Sequence, residues 1–143
     1  MNYQISQQQI LNFIKTQPLA VLSTVSPDGH LQSAVIGISE NDDLSLIFGT
    51  FSNSRKFFNL KHNPQVAVVI GWDKVTVQYE GTATELIEED LKAAKQTHLV
   101  KLPSSVKFAE LSHQAYFKIV PKWIRYTDFT NEKIYGQVTE ISF

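Results

Sequence analysis

The chain of 143 residues is long enough for one hydrophobic core, and its 43% hydrophobic and 19% charged residues are ordinary for a globular protein. A formal net charge of −1 gives no overall attraction to nucleic acid or an anionic membrane, and the absence of cysteine excludes disulfides and thiolate chemistry. No apolar run approaches the roughly 20 residues of a membrane span and no signal peptide is visible, so we expect a single cytoplasmic domain over residues 1–143.

Helix and hairpin signals organise the first part of the chain. Ser6 is placed to cap a helix over residues 7–16. The Ser26–Gly29 turn has proline at its second position and a glycine at its end, which predicts a hairpin between the flanking strands. The strands predicted here from apolar and β-branched content cover residues 19–25, 30–39, 44–50, 66–72 and 75–85.

The second part of the chain continues with a helix and further strands. A helix from residue 88 to about 100 begins with acidic residues and carries lysines later, as the helix dipole favours. A loop over 102–105 follows, and Pro121 indicates a bulge or an edge between two strands. The remaining predicted strands cover residues 115–120, 123–129 and, after a turn at Asn131-Glu132, residues 133–141.

About seven strands joined by tight turns, with two to three short helices, predict a mainly β protein built as an antiparallel barrel or sandwich. Regular helical crossovers, which a parallel sheet would need, are missing from this order of elements.

Two cations stand where a short helix is predicted to begin. Residues 52–54 offer side-chain oxygens that can cap it, and Asn63-Pro64 ends it. Arg55 and Lys56 in its first turn oppose the positive end of the helix dipole, at a cost of about 0.3–1 kcal/mol each when exposed. Free N–H groups beside an arginine and a lysine favour a phosphate site. The alternative is that both side chains are solvated surface residues.

Other chemistries find little support. The four histidines, His30, His62, His98 and His113, are widely spaced without a second ligand at coordinating distance, so we predict surface or partly buried histidines and no metal site. Walker, GxGxxG and GxSxG motifs are absent. Cations interleaved with aromatic residues between positions 116 and 126 fit a nucleic-acid surface only loosely, and the net charge disfavours it.

Several short elements agree in order and spacing with one known family. They are Phe48-Gly49-Thr50, Ser54-Arg55-Lys56, Leu60, Asn63-Pro64, the strand over 66–70, Trp72 and Glu80-Gly81. With them, residues 8–130 resemble the pyridoxamine 5′-phosphate oxidase-like, FMN-binding split-barrel superfamily. The resemblance implies a Greek-key-like split β-barrel that forms a homodimer, with two FMN sites at the subunit interface.

The resemblance also implies how one protomer holds the cofactor. Arg55 and Lys56, in the turn that begins with Ser54, would hold the FMN phosphate, since arginine grips phosphate in two places and lysine adds a compact charge. Gly49 and Thr50 would lie against the cofactor. The strand residues that would line the flavin ring are Ala34, Val35 and Ile36.

Further contacts implied by the resemblance come from later strands. A polar residue would touch the polar edge of the flavin ring at Thr76, and Gln78 on the same strand face is the substitute candidate. Trp123 and Arg125 would complete the site from the partner chain. For Trp123, a place in the core is the alternative.

The sequence departs from the oxidase at its substrate site. The lysine that grips the substrate phosphate in the oxidase is replaced by Ser39, and residues 91–107 contain no tyrosine or arginine, where the oxidase has both. The C-terminal Arg-Leu-His-type signature is also missing. We therefore expect a retained cofactor site and a lost vitamin-B6 substrate site.

These observations predict an FMN-dependent oxidoreductase of unknown substrate, with no side chain evident as a catalytic acid or base. A second hypothesis is a deazaflavin- or heme-binding split barrel, with His62 or His113 as the candidate heme ligand. A third is a non-catalytic flavin-binding or stress-response module that keeps FMN as a structural or sensing ligand.

Overall fold

A computed structural model describes residues 5–130 and 136–143. Its eight strands within those residues are β1 (Leu19–Val25), β2 (Leu31–Gly37), β3 (Ser39–Glu40), β4 (Leu46–Phe51), β5 (Gln65–Ile70), β6 (Val75–Glu85), β7 (Gln114–Asp128) and β8 (Gln137–Ser142). Its helices are α1 (Gln7–Lys15), α2 (Arg55–His62), α3 (Glu88–Lys101) and the single turn α4 (Val106–Ala109), which a 3₁₀ turn at Pro103–Ser105 precedes.

The strands form one antiparallel sheet that curls on itself. Its order is β2-β1-β5-β6-β7-β4-β3, and β8 pairs with β7. The sheet curls so far that β2, at one end of this order, comes close to β4, near the other end. The two strands do not pair. The prediction of a mainly β split barrel is confirmed, with one short helix more than predicted.

Strand β7 is paired with neighbouring strands along its whole length. Its first half pairs with β4 and its second half with β8, while β6 runs along its other edge. The register with β6 shifts between Glu80 and Gly81, opposite Trp123 and Pro121, so β7 carries one extra residue there. The bulge predicted at Pro121 is confirmed. The two strands predicted on either side of it are one continuous strand, because pairing resumes after the residue that lacks an N–H.

Local signals placed most element boundaries within two residues of the observed ones. Ser6 caps α1 in a capping box with Gln9. Gly29 has a φ of +87°, and its N–H donates to Ser26 O over 2.9 Å, as the predicted turn requires. The strand predicted over 30–39 is instead divided into β2 and β3, because the chain passes there from pairing with β1 to pairing with β4.

The core lies inside the curl and is closed at one end by α1. Ile10, Leu11 and Ile14 of α1 are buried in it. Phe48 and Phe117 stack with ring centroids 5.4 Å apart, joining the paired strands β4 and β7. Among the described residues, no helix is long and apolar enough to cross a membrane. The predicted turn at Asn131-Glu132 and the first residues of the predicted last strand lie outside the described residues.

Candidate functional site

The open side of the barrel, between β2 and β4, holds a cleft of about 280 Å³, which we call the main cleft. One wall comes from residues 35–37 of β2 and residues 49–51 of β4. The opposite wall comes from α3, the 3₁₀ turn, α4 and the start of β7. Lys56, in the first turn of α2, also lines it.

A smaller cleft of about 120 Å³, the minor cleft, lies between α2 and strands β1 and β2. Arg55 and Ala34 line it, and so does Lys56, which is thus shared by both clefts. The start of α2 therefore stands where the two clefts meet.

Hydrogen bonds fix the start of α2 to the end of β4. Ser54 is the N-cap of α2, and its Oγ accepts from the N–H of Phe57 over 3.3 Å. The same oxygen lies 2.9 Å from Thr50 Oγ1 on β4. This arrangement leaves the N–H groups of Arg55 and Lys56 available to a ligand, since the first N–H groups of a helix have no partner within it.

Both cations of this turn lack a counter-charge among the residues that the structure describes. Arg55 is exposed and Lys56 is half-buried, and burial lowers the pKa of Lys56. Neither side chain forms an ion pair or hydrogen bond within residues 5–130 and 136–143, and the first turn of α2 contains no acid. By contrast, Lys61 pairs with Glu85 and Lys101 with Glu40. Two unpaired cations and free N–H groups at one helix end have the donor set of a phosphate site.

Of the twelve residues named from the sequence, eight line these two clefts. They are Ala34, Val35, Ile36, Gly49, Thr50, Ser54, Arg55 and Lys56. The other four, Thr76, Gln78, Trp123 and Arg125, line neither cleft.

The four remaining residues lie on β6 and β7, which β1 and β5 separate from β2. Gln78 pairs with Arg125 across the two strands, and Trp123 pairs with Glu80. These side chains point to the face of the sheet opposite the core, since they alternate with the buried positions of their strands. They would reach a cleft only from another copy of the chain.

Gly49 has a packing role as well as a place beside the cleft. A Cβ built on it would collide with Gln114 Nε2 and lie 3.3 Å from the ring of Tyr116. The missing side chain therefore lets Gln114 and Tyr116 pack against β4 and form part of the cleft wall.

Sequence reasoning missed the opposite wall of the main cleft. It contains the rings of Phe108 and Tyr116, the amide of Gln114 and the imidazole of His98. His98 is 4% exposed, and burial, with the Lys101 charge, lowers its pKa to about 4. One signal was present, because Ala94 and His98 are four residues apart and form the buried face of α3.

The histidines proposed as heme ligands lie elsewhere. His62 and His113 are exposed and line neither cleft. Within the described residues, no three histidine or acidic side chains come together as a metal site requires. Of the histidines, His98 faces the main cleft and neither of the two named candidates does.

Comparison with known proteins identifies the family. The family model for pyridoxamine 5′-phosphate oxidase matches residues 6–128. The chain belongs to this family. A pyridoxine/pyridoxamine 5′-phosphate oxidase of Ehrlichia ruminantium is 32% identical over 86 residues, which are 59% of this chain and 44% of that protein. The chain thus spans less than half the length of the curated relatives that it matches.

Solved structures of this family's fold superimpose on the chain. General Stress Protein 26 of Bacillus anthracis is 29% identical, with a TM-score of 0.70 over 84% of this chain and 92% of that one. A heme-binding protein of Mycobacterium smegmatis is 15% identical, with a TM-score of 0.81 over 98% of this chain and 59% of that one. At such low identity, the second likeness concerns the fold alone.

Proposed function

We propose that this member of the pyridoxamine 5′-phosphate oxidase family binds FMN, with its phosphate held by Arg55 and Lys56. The observation that carries the proposal is the unpaired state of both cations at the free N-terminus of α2. The flavin ring would lie along residues 34–36 and against Gly49 and Thr50, in the clefts that meet at Lys56. Bound FMN supplies hydride and single-electron transfer, while the protein binds it and excludes water from one ring face.

A homodimer is part of the proposal. The outer face of the sheet carries an apolar cross-strand row in which Val35 and Val69 both neighbour Val21. Val35 is 64% exposed and Val69 is 39% exposed, and contiguous exposed apolar residues of this kind favour an interface. The same row continues through Gln78 to Arg125. A second copy on this face would bring those polar residues towards its partner's clefts.

We propose an oxidoreductase that does not act on the phosphorylated B6 vitamers. Ser39 is fully buried and bonded to His98, so it offers no charge to a substrate phosphate. Among the described residues lining the main cleft, Lys56 is the only lysine or arginine, and the proposal assigns it to FMN. A second phosphate would have no cation of its own there.

The cofactor assignment is tested by FMN titration of the double variant Arg55→Ala/Lys56→Ala. Charge-assisted hydrogen bonds contribute about 1.5–3 kcal/mol each, so loss of two should weaken binding by roughly 100-fold or more. The matched control is Lys15→Ala/Lys92→Ala, which removes two exposed lysines that line neither cleft and should leave the affinity unchanged. Equal affinity of both double variants would remove the phosphate assignment.

Reduction of the bound flavin distinguishes an oxidoreductase from a non-catalytic flavin-binding protein. Stopped-flow mixing with NADH and with NADPH should bleach the flavin absorbance if the protein is an oxidoreductase fed by a nicotinamide donor. Flavin that neither donor reduces would favour a sensing or structural role, to which the likeness to a general stress protein also points.

Heme is the second candidate cofactor, because a neutral histidine, His98, lines the main cleft and a heme-binding protein shares the fold. Deazaflavin is less favoured, since its anionic tail would need further cations and Lys61 is already paired with Glu85. The absorption spectrum of the natively purified protein separates a flavin doublet, a single deazaflavin band and a Soret peak.

A further inference from the structure

A serine–histidine pair at the wall of the main cleft has no part in the phosphate site. His98 Nδ1, from α3, lies 2.8 Å from Ser39 Oγ, from β3. Ser39 is 0% exposed and His98 is 4% exposed. Buried polar side chains normally have hydrogen-bond partners, so the partners of this pair determine its protonation.

The serine fixes the tautomer of the imidazole. Within the described residues, Ser39 Oγ has no hydrogen-bond partner other than His98 Nδ1. A buried hydroxyl needs an acceptor for its proton, and Nδ1 is the acceptor within reach. Ser39 therefore donates to Nδ1, and the proton of the neutral imidazole is on Nε2.

The Nε2–H group is directed at the cleft. His98 lines the main cleft, and no described residue accepts a hydrogen bond from its Nε2. In the described part of the chain, Arg125 Nε is the fully buried side-chain nitrogen without a hydrogen-bond partner, although it lies 3.4 Å from Glu140 Oε1; Nε2 of His98 is not such an atom. Nε2 of His98 is therefore accessible from the cleft, where it is an unpaired donor on an otherwise buried side chain.

The imidazole is held neutral by its surroundings. Lys101 Nζ donates to the carbonyl oxygens of Ile14 and Gln17 and to the carboxylate of Glu40, which fixes a positive charge near His98. Burial and this charge lower the pKa of His98. Tyr116, whose ring lies edge-on to the imidazole at 5.8 Å, is neutral as well, because burial raises its pKa.

We propose that His98 Nε2 donates a hydrogen bond to the carbonyl oxygen of a small, uncharged, planar ligand in the main cleft. Phe51, Phe108 and Tyr116 line the main cleft together with His98. Their aromatic side chains suit a flat ring. The volume of the main cleft, about 280 Å³ without a cofactor, is below that of most drug-sized sites, so a ligand that shares the cleft with a flavin ring has to be small. A neutral donor in a desolvated site favours a neutral acceptor over a carboxylate.

This inference rests on the proposed function, in which FMN shares the main cleft with the ligand. It deepens that function by naming the substrate class, a conjugated carbonyl compound. Ser39 is then a positioning residue, because it acts through His98. The same tautomer disfavours His98 as a heme ligand, because an iron-bound Nε2 carries no proton. The Nδ1–H would then donate to Ser39 Oγ and leave the buried serine hydroxyl without an acceptor.

The tautomer is tested by long-range ¹H–¹⁵N NMR of protein labelled with ¹⁵N and freed of cofactor. We expect His98 as the neutral Nε2–H form at pH 7, with the two nitrogen shifts well separated. In Ser39→Ala the preference for this form should weaken. A neutral Nδ1–H form in the wild-type protein would overturn the proposal.

The ligand class is tested with two probes of two rings each, titrated into the same cofactor-free protein. Coumarin offers a carbonyl, and naphthalene offers no acceptor. Coumarin should bind more tightly than naphthalene and shift the His98 Nε2 resonance. His98→Leu should weaken coumarin binding by about tenfold, the equivalent of one hydrogen bond, and leave naphthalene binding unchanged. His98→Gln keeps an N–H donor and should recover part of the lost coumarin affinity.

Three results would overturn the proposal: equal binding of coumarin and naphthalene, equal loss of both in His98→Leu, or a hemin Soret band that depends on His98. Because these titrations use no FMN, their failure is distinct from failure of the cofactor assignment, which the Arg55→Ala/Lys56→Ala titration reports.

Discussion

Ser54 connects the sequence signal for a helix start to the geometry of the site. Its hydroxyl caps α2 and contacts Thr50 at the end of β4. The cap stabilises the helix, and the contact with β4 holds Arg55 and Lys56 beside the clefts. A single side chain thus couples local stability to the position of the two cations in the proposed phosphate site.

Replacement of this cap should affect stability and binding together. Ser54→Ala removes the cap of α2 and should lower the free energy of unfolding in urea by about 1 kcal/mol. It should also lower the affinity for FMN in titration. Ser6→Ala is the matched control, since Ser6 caps α1 and lines neither cleft. We expect a similar stability loss there without loss of FMN affinity. Equal FMN affinity in the two variants would show that the cap does not position the cations.

His98 should make stability depend on pH. Its pKa is about 4 in the folded chain, against an ordinary value of 6.5. The unfolded state therefore binds the proton first, so stability is complete above pH 6.5 and is lost as pH falls towards 4, by on the order of 3 kcal/mol. Urea unfolding of wild type and His98→Gln between pH 7 and 4.5 should show a shallower fall for the variant. His62→Gln, at an exposed histidine, should behave as wild type, and parallel curves for all three proteins would contradict the expectation.

At the scale of elements, the bulge in β7 decides how the barrel is assembled. It allows β7 to stay paired with β6 while its other edge passes from β4 to β8. Gly81 lies at the register shift, and a Cβ there would collide with Val120 O and lie 2.9 Å from Ile119 Cγ2. The glycine is therefore required by a close approach of two backbones.

Gly81→Ala should destabilise the fold, because a backbone oxygen cannot move aside without loss of pairing. Overpacking costs about 1–3 kcal/mol, measurable as a lower urea midpoint. Gly37→Ala is the control, since the nearest atom to its built Cβ is the side-chain Cδ1 of Leu102 at 3.1 Å, which can move. A Gly37→Ala loss as large as that of Gly81→Ala would argue against the backbone clash.

At the scale of the whole molecule, four of the residues named from the sequence lie on the outer sheet face and away from the clefts. Gln78 and Trp123 share that face with the apolar row through Val69. In the proposed dimer, one copy supplies the phosphate site and the other supplies these side chains. The site would then be incomplete in a monomer.

A charge on this face should therefore dissociate the dimer and weaken FMN together. Val69→Lys places a lysine in the apolar row, and burying its charge would be costly. Light scattering after gel filtration should report a monomer, and FMN titration a lower affinity. Val100→Lys, at a 79% exposed position on α3, should leave both unchanged. A Val69→Lys protein that stays dimeric would contradict the proposed interface.

The sequence by itself determined the features that depend on neighbouring residues. Ser6 and Ser54 capped the helices where predicted, Gly29 turned the hairpin, and β1 and β6 have the predicted bounds. The two cations in the first turn of α2 were equally predictable, because capping and charge at a helix start involve consecutive positions.

Only the tertiary structure decided the features that join distant parts of the chain. The passage of the chain from β2 to β3 and the two partners of β7 depend on sheet pairing. Ser39 and His98 are 59 residues apart, so no local pattern could pair them or bury them together. The cations proposed to hold a phosphate were therefore predictable from a short stretch of sequence, whereas the cleft wall that contains His98 exists only once the sheet has curled and α3 has packed against it.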